Sequence, residues 1–276
     1  MASIRMKFYS ASLKTRTNVN VLIPTLLPDQ NGANNPGQSF DGYYASHGNY
    51  PVLYLLHGTF GDEGDWQRYS RIEDYARTRN VVVVMPYGEN SCYRDTKSGK
   101  NYETYITQEL PQVIQWMFPV SRRREDTFIA GLSMGGGAAV RLGLSHPDLY
   151  GCVAGLSSDF GSIAEKACQS DFSVWSFAFE GAEVGKGTST DSFSLAEKLK
   201  KSGTEQPKLY LGCGTEDFLY QDNCKFHQYL NELGMEHVFS TGTGNHNWNF
   251  WDPEIVKVLD WLPINGASGT ERKLGF

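Results

Sequence analysis

One twelve-residue stretch, Phe128 to Ala139, reads FIAGLSMGGGAA and constrains the fold more than any other part of the chain. It sets Gly131-Leu132-Ser133-Met134-Gly135 directly after a short apolar run and directly before an Ala-rich helical pattern. A G-x-S-x-G match alone is commonplace. Between a strand and a helix it becomes a nucleophile elbow, with the serine at the apex of a sharp turn. Gly131 and Gly135 then let the strand and the helix approach without a Cβ clash. Ser133 would project at a helix N-terminus, where free N–H groups favour developing negative charge. The context predicts a catalytic serine at position 133.

The rest of the chain fits the fold such an elbow needs. Apolar runs at Met6–Tyr9, Val19–Ile23, Val52–Leu56, Val81–Met85, Phe128–Ala130, Cys152–Leu156, Lys208–Leu211 and His237–Ser240 read as strands. VVVV and VLYLL are continuously apolar, as parallel strands covered on both faces are. Helical spacing recurs between them: Tyr102, Ile106, Leu110, Val113, Ile114 and Met117; then Tyr229, Leu230 and Leu233, closed by Gly234; then Ile255, Val258, Leu259 and Leu262, stopped by Pro263. The expected fold is α/β: a mostly parallel central sheet of about eight strands with helices on both faces. The first two strands lack a helix between them and read as an antiparallel edge.

Two segments break the rhythm. Asp29 to Tyr50 is rich in Asn, Gly, Ser and Tyr and reads as a long surface loop. Residues 157–203 exceed what one helix needs and carry Phe160, Phe172, Trp175, Phe177 and Phe179. They read as a small cap inserted over the catalytic end of the sheet. The expected organisation is one domain over residues 1–265, with a flexible tail at 266–276.

A net charge of −6 argues against a nucleic-acid partner, and no run approaches the length of a membrane span. No secretion signal opens the chain. Its five cysteines are odd in number and hold no C-x-x-C pair, which points to a cytoplasmic protein.

A serine hydroxyl needs a base to take its proton and an acid to orient that base. Both follow in chain order. After Lys208–Leu211 comes Gly212-Cys213-Gly214-Thr215-Glu216-Asp217, read as a glycine-rich turn ending in two carboxylates. Asp217 is the preferred acid, because a turn needs several residues to swing round and a short side chain holds its geometry; Glu216 is the fallback and Asp159 a weaker rival. His246 follows the last strand, in Gly244-Asn245-His246-Asn247-Trp248, and is the expected base. His47, His146, His227 and His237 fit less well, and His57, though a tempting base, reads as support for its own turn.

The oxyanion requires backbone donors. Met134 N–H, next to the nucleophile, is one; the other falls in His57-Gly58-Thr59-Phe60-Gly61, with Thr59 preferred and Phe60 next. Phe60, Trp175 and Trp248 are the expected substrate-contacting aromatics. Cys224-x-x-His227 is half a zinc pattern without its partner, and the Gly135–Gly137 run lacks the ending of a phosphate loop, so neither metal nor cofactor is expected.

With these residues in hand, the chain resembles the esterase family that includes esterase D, S-formylglutathione hydrolase, tributyrin esterases and feruloyl or acetyl-xylan esterases. PVLYLLHGTFGDEGDW, YETYITQELPQVIQWMFP, TFIAGLSMGG, GTEDFLY and GNHNWNFW carry the likeness, which is strongest to small bacterial tributyrin esterases. The resemblance implies an α/β-hydrolase with a triad at Ser133, Asp217 and His246 and oxyanion amides at Met134 and Thr59. It implies a serine carboxylesterase for short acyl esters, with plant cell-wall feruloyl or acetyl-xylan oligosaccharide esters as the alternative and a dimer or tetramer as the assembly. S-formylglutathione hydrolysis is less favoured, because that branch usually shows Ser-Gly where this chain has His57-Gly58 and the match to it is weaker. Acyl transfer, the reaction of the related mycolyl transferases, would use the same triad. The chain departs from the family in the long Asp29–Tyr50 loop, in the cap, and at Gly137, where a larger residue is common.

Overall fold

The computed structural model describes residues 1–25, 49–169, 174–180 and 183–264. The Asp29–Tyr50 loop, apart from its last residues, and the 266–276 tail lie outside them. The described residues form an eight-stranded sheet in the order β1-β2-β4-β3-β5-β6-β7-β8. The strands are β1 (Ala2–Ser10), β2 (Thr15–Ile23), β3 (Val52–Leu56), β4 (Val82–Pro86), β5 (Thr127–Leu132), β6 (Cys152–Leu156), β7 (Lys208–Gly214) and β8 (His237–Gly242). As expected, β1 and β2 make the antiparallel edge, and β2 also meets β4 antiparallel; every other pairing is parallel.

The helices are α1 (Asp65–Tyr69), α2 (Ile72–Arg77), α3 (residues 102–117, with a π-helical turn at Tyr105–Glu109), α4 (Met134–Ser145), α5 (Ser162–Gln169), α6 (Ser176–Phe179), α7 (Ser192–Ser202), α8 (Tyr220–Glu232) and α9 (Trp248–Trp261). Alternate residues of the central strands feed two cores. Val52, Tyr54 and Leu56 join α3, α4, α7 and α8 on one face; Leu53 and Leu55 join α1, α2 and α9 on the other. This two-sided burial is why the central strands are continuously apolar.

The sequence reading of Gly212–Gly214 as a turn is corrected. These residues continue β7, paired Gly212↔Ser240, Cys213↔Thr241 and Gly214↔Gly242 with β8. The turn proper begins at Thr215. Helix α8 ends as expected at Gly234, whose φ of 63° suits the left-handed cap position.

Residues 157–203 hold α5, α6 and α7. They are fastened to α8 by Phe226, which is fully buried, stacks on Phe160 at 4.1 Å and meets Phe193 edge-on at 5.0 Å. Phe226→Ala should lower unfolding stability by about 3–5 kcal/mol, read by chemical denaturation.

A second tie joins α3 to α4. Glu103 pairs with the buried Arg141 at 2.6 Å and with His146 at 3.0 Å. Burial works to raise the Glu103 carboxyl, but Arg141 and His146 overcome it and bring it from 4.5 to about 2. A depressed acid stabilises the fold fully above its unfolded pKa and loses that contribution as pH falls through the folded one. The window is therefore between about pH 4.5 and about pH 2. Glu103→Gln leaves Arg141 without its counter-charge and starts less stable at neutral pH; its further loss across this window should be smaller than wild type's by about 2 kcal/mol, measured by urea unfolding at each pH.

Candidate active site

The elbow forms where the sequence puts it. β5 ends at Leu132, α4 starts at Met134, and Ser133 between them has φ 53° and ψ −119°. Its N–H donates to Leu156 O at 2.8 Å, which pins the apex to β6. A Cβ on Gly131 would lie 2.4 Å from Gly135 O, and one on Gly135 would lie 2.4 Å from His57 O. Real Cβ atoms do not approach carbonyls so closely, so both positions demand glycine.

The topology then delivers the partners. His246, on the loop between β8 and α9, has Nε2 2.9 Å from Ser133 Oγ. Its Nδ1 lies 2.9 Å from Asp217 Oδ2 and 3.0 Å from Oδ1. A carboxylate can only accept, so Nδ1 carries the proton and Nε2 is left to accept from the serine hydroxyl. The Asp217 carboxylate is fully buried and also accepts from Leu219 N–H at 2.9 Å. Burial by itself raises its pKa, but the bonds from His246, Leu219 and the Ser157 hydroxyl outweigh it and hold the group below the usual carboxylate range.

The alternatives fall elsewhere. Glu216 is exposed. Asp159 caps α5, accepting from Gly161 N–H at 3.3 Å, from Ile163 N–H at 3.1 Å and from the Ser162 hydroxyl. His227 and His237 hydrogen-bond to each other at 2.7 Å.

The turn after β3 is held by its own histidine. Buried His57 accepts the Gly88 N–H on Nε2 at 2.9 Å and therefore donates from Nδ1 to Gly58 O at 2.7 Å. Gly61 N–H also donates to Gly58 O, at 3.2 Å. In a trans peptide the carbonyl and the following N–H point opposite ways, so anchoring Gly58 O turns the Thr59 N–H away from His57. Phe60 N–H is taken by Asn90 Oδ1 at 2.8 Å, which removes the second-choice donor. Among the described residues no acceptor takes the Thr59 or Met134 N–H. Burial lowers the His57 pKa and keeps the ring neutral, as an accepting Nε2 requires.

A cavity of about 310 Å³ opens in front of Ser133 and His246. Phe60, Trp175 and Trp248, expected from the sequence to contact substrate, all line it, and Trp175 Nε1 donates to Thr59 Oγ1 at 3.2 Å. Sequence reasoning missed Phe218, which sits 4.5 Å from the His246 ring and is 70% exposed at the mouth. Its signal was adjacency to Asp217. It also missed Asn90 and Tyr93, whose hydroxyl bonds His57 N and O, because a loop thirty residues away carries no local mark of its target.

This fold and site define an α/β-hydrolase-type serine esterase. A family model described as "Putative esterase" matches residues 36–262, and the chain belongs to that family. It is 32% identical to an acetyl esterase of Caldicellulosiruptor saccharolyticus, over 95% of this chain and 98% of the relative. Among solved structures it is similar to FphF, a fluorophosphonate-binding serine hydrolase of Staphylococcus aureus, at TM-score 0.82 and 31% identity, covering 95% and 98%. FrmB, an S-formylglutathione hydrolase of the same organism, matches at TM-score 0.80 and 30% identity with the same coverage. The protein is a carboxylic ester hydrolase. Among the described residues no helix is long and apolar enough to cross a membrane.

Replacing His57 by Ala frees the Gly58–Thr59 peptide to rotate. The expected result is a kcat lower by about 10²-fold with KM little moved, measured on a p-nitrophenyl ester.

Proposed function

We propose that the protein hydrolyses short-chain acyl esters through an acyl-enzyme on Ser133. The observation that carries this reading is the unbroken hydrogen-bonded chain from Ser133 Oγ through His246 to the buried Asp217. Ser133 Oγ attacks the ester carbonyl as His246 Nε2 takes its proton. Asp217 holds the ring in the required tautomer and stabilises the imidazolium. The Met134 and Thr59 amides bind the tetrahedral oxyanion. His246 then protonates the departing alcohol, and a water deprotonated by the same nitrogen releases the acid and restores the serine. In this reading residues 157–203 act as a cap on a single hydrolase domain, with Trp175 closing the acyl pocket. Cys92, Cys152, Cys213 and Cys224 are all unpaired, which supports a reducing, cytoplasmic setting.

The aromatic walls of the cavity favour a second reading. Phe60, Trp175, Phe218, Trp248 and Trp251 suit a flat aromatic acyl group such as ferulate. Thioesters also stay in play. The expectation of a weaker match to S-formylglutathione hydrolases does not hold for FrmB, whose identity is within two points of the acetyl esterase.

The test is kcat/KM on p-nitrophenyl acetate, butyrate and octanoate, methyl ferulate, acetylated xylo-oligosaccharide and S-formylglutathione. A peak at acetate or butyrate is expected. Ser133→Ala should lower it by about 10⁴-fold or more, and Asp217→Asn by on the order of 10³–10⁴. Near-wild-type turnover by Ser133→Ala overturns the mechanism, and a preference for ferulate of about tenfold or more selects the second reading.

A further inference from the structure

Behind the first turn of α4 lies a second, smaller cavity of about 40 Å³, which Arg94 faces. Arg94 stands in the connection from β4 to α3 and is 9% exposed. Among the described residues its guanidinium makes no hydrogen bond and no ion pair, and its buried Nε has no partner. Its neighbour is the Phe179 ring, 5.1 Å from Cζ. Burial first, and the nearby Arg141 cation second, pull its pKa to about 10, so it stays charged at neutral pH. Glu103 and Asp95 act on it only through space: the Glu103 carboxylate is held by Arg141 and His146, and that of Asp95 by Thr104. The Asp159 carboxylate borders the cavity but is turned to the N-terminus of α5.

A largely buried guanidinium with no hydrogen-bonded counter-ion is unfavourable, and such a group calls for an ion or water to complete it. The space exceeds that of one water and suits a small oxyanion. A planar fork of N–H donors matches a carboxylate in shape as well as charge. Position ties the cavity to catalysis. Asp159 and Ile163 line both cavities, and Met134 lines the smaller one from the residue next to the nucleophile.

We propose that the Arg94 cavity binds a small carboxylate, brought either by an ester that carries a second acid group or by a free acid such as the hydrolysis product. The substrate-borne form rests on the esterase reading above; the free form does not. Two measurements separate them. The first is the ratio of kcat/KM for p-nitrophenyl hemiglutarate to that for p-nitrophenyl valerate, in wild type, Arg94→Met and Arg94→Lys. A substrate carboxylate at Arg94 should make this ratio fall about tenfold or more in Arg94→Met, with part of it regained in Arg94→Lys. The second is thermal unfolding of Ser133→Ala and Ser133→Ala/Arg94→Met in sodium acetate, against sodium chloride of equal ionic strength. A free carboxylate should raise the midpoint of the former by a few degrees and leave the latter where it was. Methionine keeps the bulk of the side chain and removes the buried charge, and circular dichroism checks that each variant folds; Arg94→Gln stands in if Arg94→Met does not. Either response supports the site. An unchanged ratio together with an unchanged midpoint overturns it and leaves water as the occupant.

Discussion

The catalytic end of the molecule depends on how closely α4 lies against the sheet. The helix begins one residue after β5 ends, so the backbone reverses at Ser133 in a conformation that a non-glycine residue adopts only at a cost of about 1–3 kcal/mol. That strain persists because the surroundings over-determine it. Gly135 sits against the His57 carbonyl, Gly136 against Leu156 O, and the Ser133 N–H bonds Leu156 O. The same approach brings the first amide of α4 beside the turn after β3. One close contact therefore sets both the position of Ser133 and that of the Met134 and Thr59 amides proposed as oxyanion donors.

Polarity at the site is arranged so that each ring nitrogen has one permitted role. Two histidines illustrate it with opposite outcomes. His246 faces a buried carboxylate, which fixes the proton on Nδ1 and frees Nε2 for the serine. His57 accepts a backbone N–H on Nε2, so its proton also sits on Nδ1, but there it holds the Gly58 carbonyl rather than a catalytic group. The same tautomer thus faces a serine hydroxyl in one place and clamps the backbone in the other, and only the neighbouring donors and acceptors distinguish them.

Much of this was legible in the sequence because its causes are local. The elbow needs small residues at fixed offsets from Ser133, and the chain order of Ser133, Asp217 and His246 follows from strand order. The central strands announce themselves because two cores demand unbroken apolar runs. What escaped depends on pairing across space. Gly212–Gly214 looked like a turn, since three small residues in a row mark turns in general, yet the β8 partner makes them strand. Asp159 looked like a rival acid because it follows a strand end, but its carboxylate is engaged by the α5 N-terminus. The buttress from Asn90 and Tyr93 reaches the oxyanion turn from a separate loop, where nothing in the local pattern reports it.

Gly137 brings these themes together. From sequence it stood out as a departure from its relatives. Here a Cβ at that position would lie 2.1 Å from the Asp159 carbonyl, so the β6–α5 link runs directly over α4. That link carries Asp159 towards the N-terminus of α5, and Asp159 lines both the cavity in front of Ser133 and the one that Arg94 faces. A bulkier residue would have to displace the link outward and move Asp159 with it. The missing side chain on α4 therefore lets that link lie close, and so sets where the residues shared by the two cavities stand relative to Ser133.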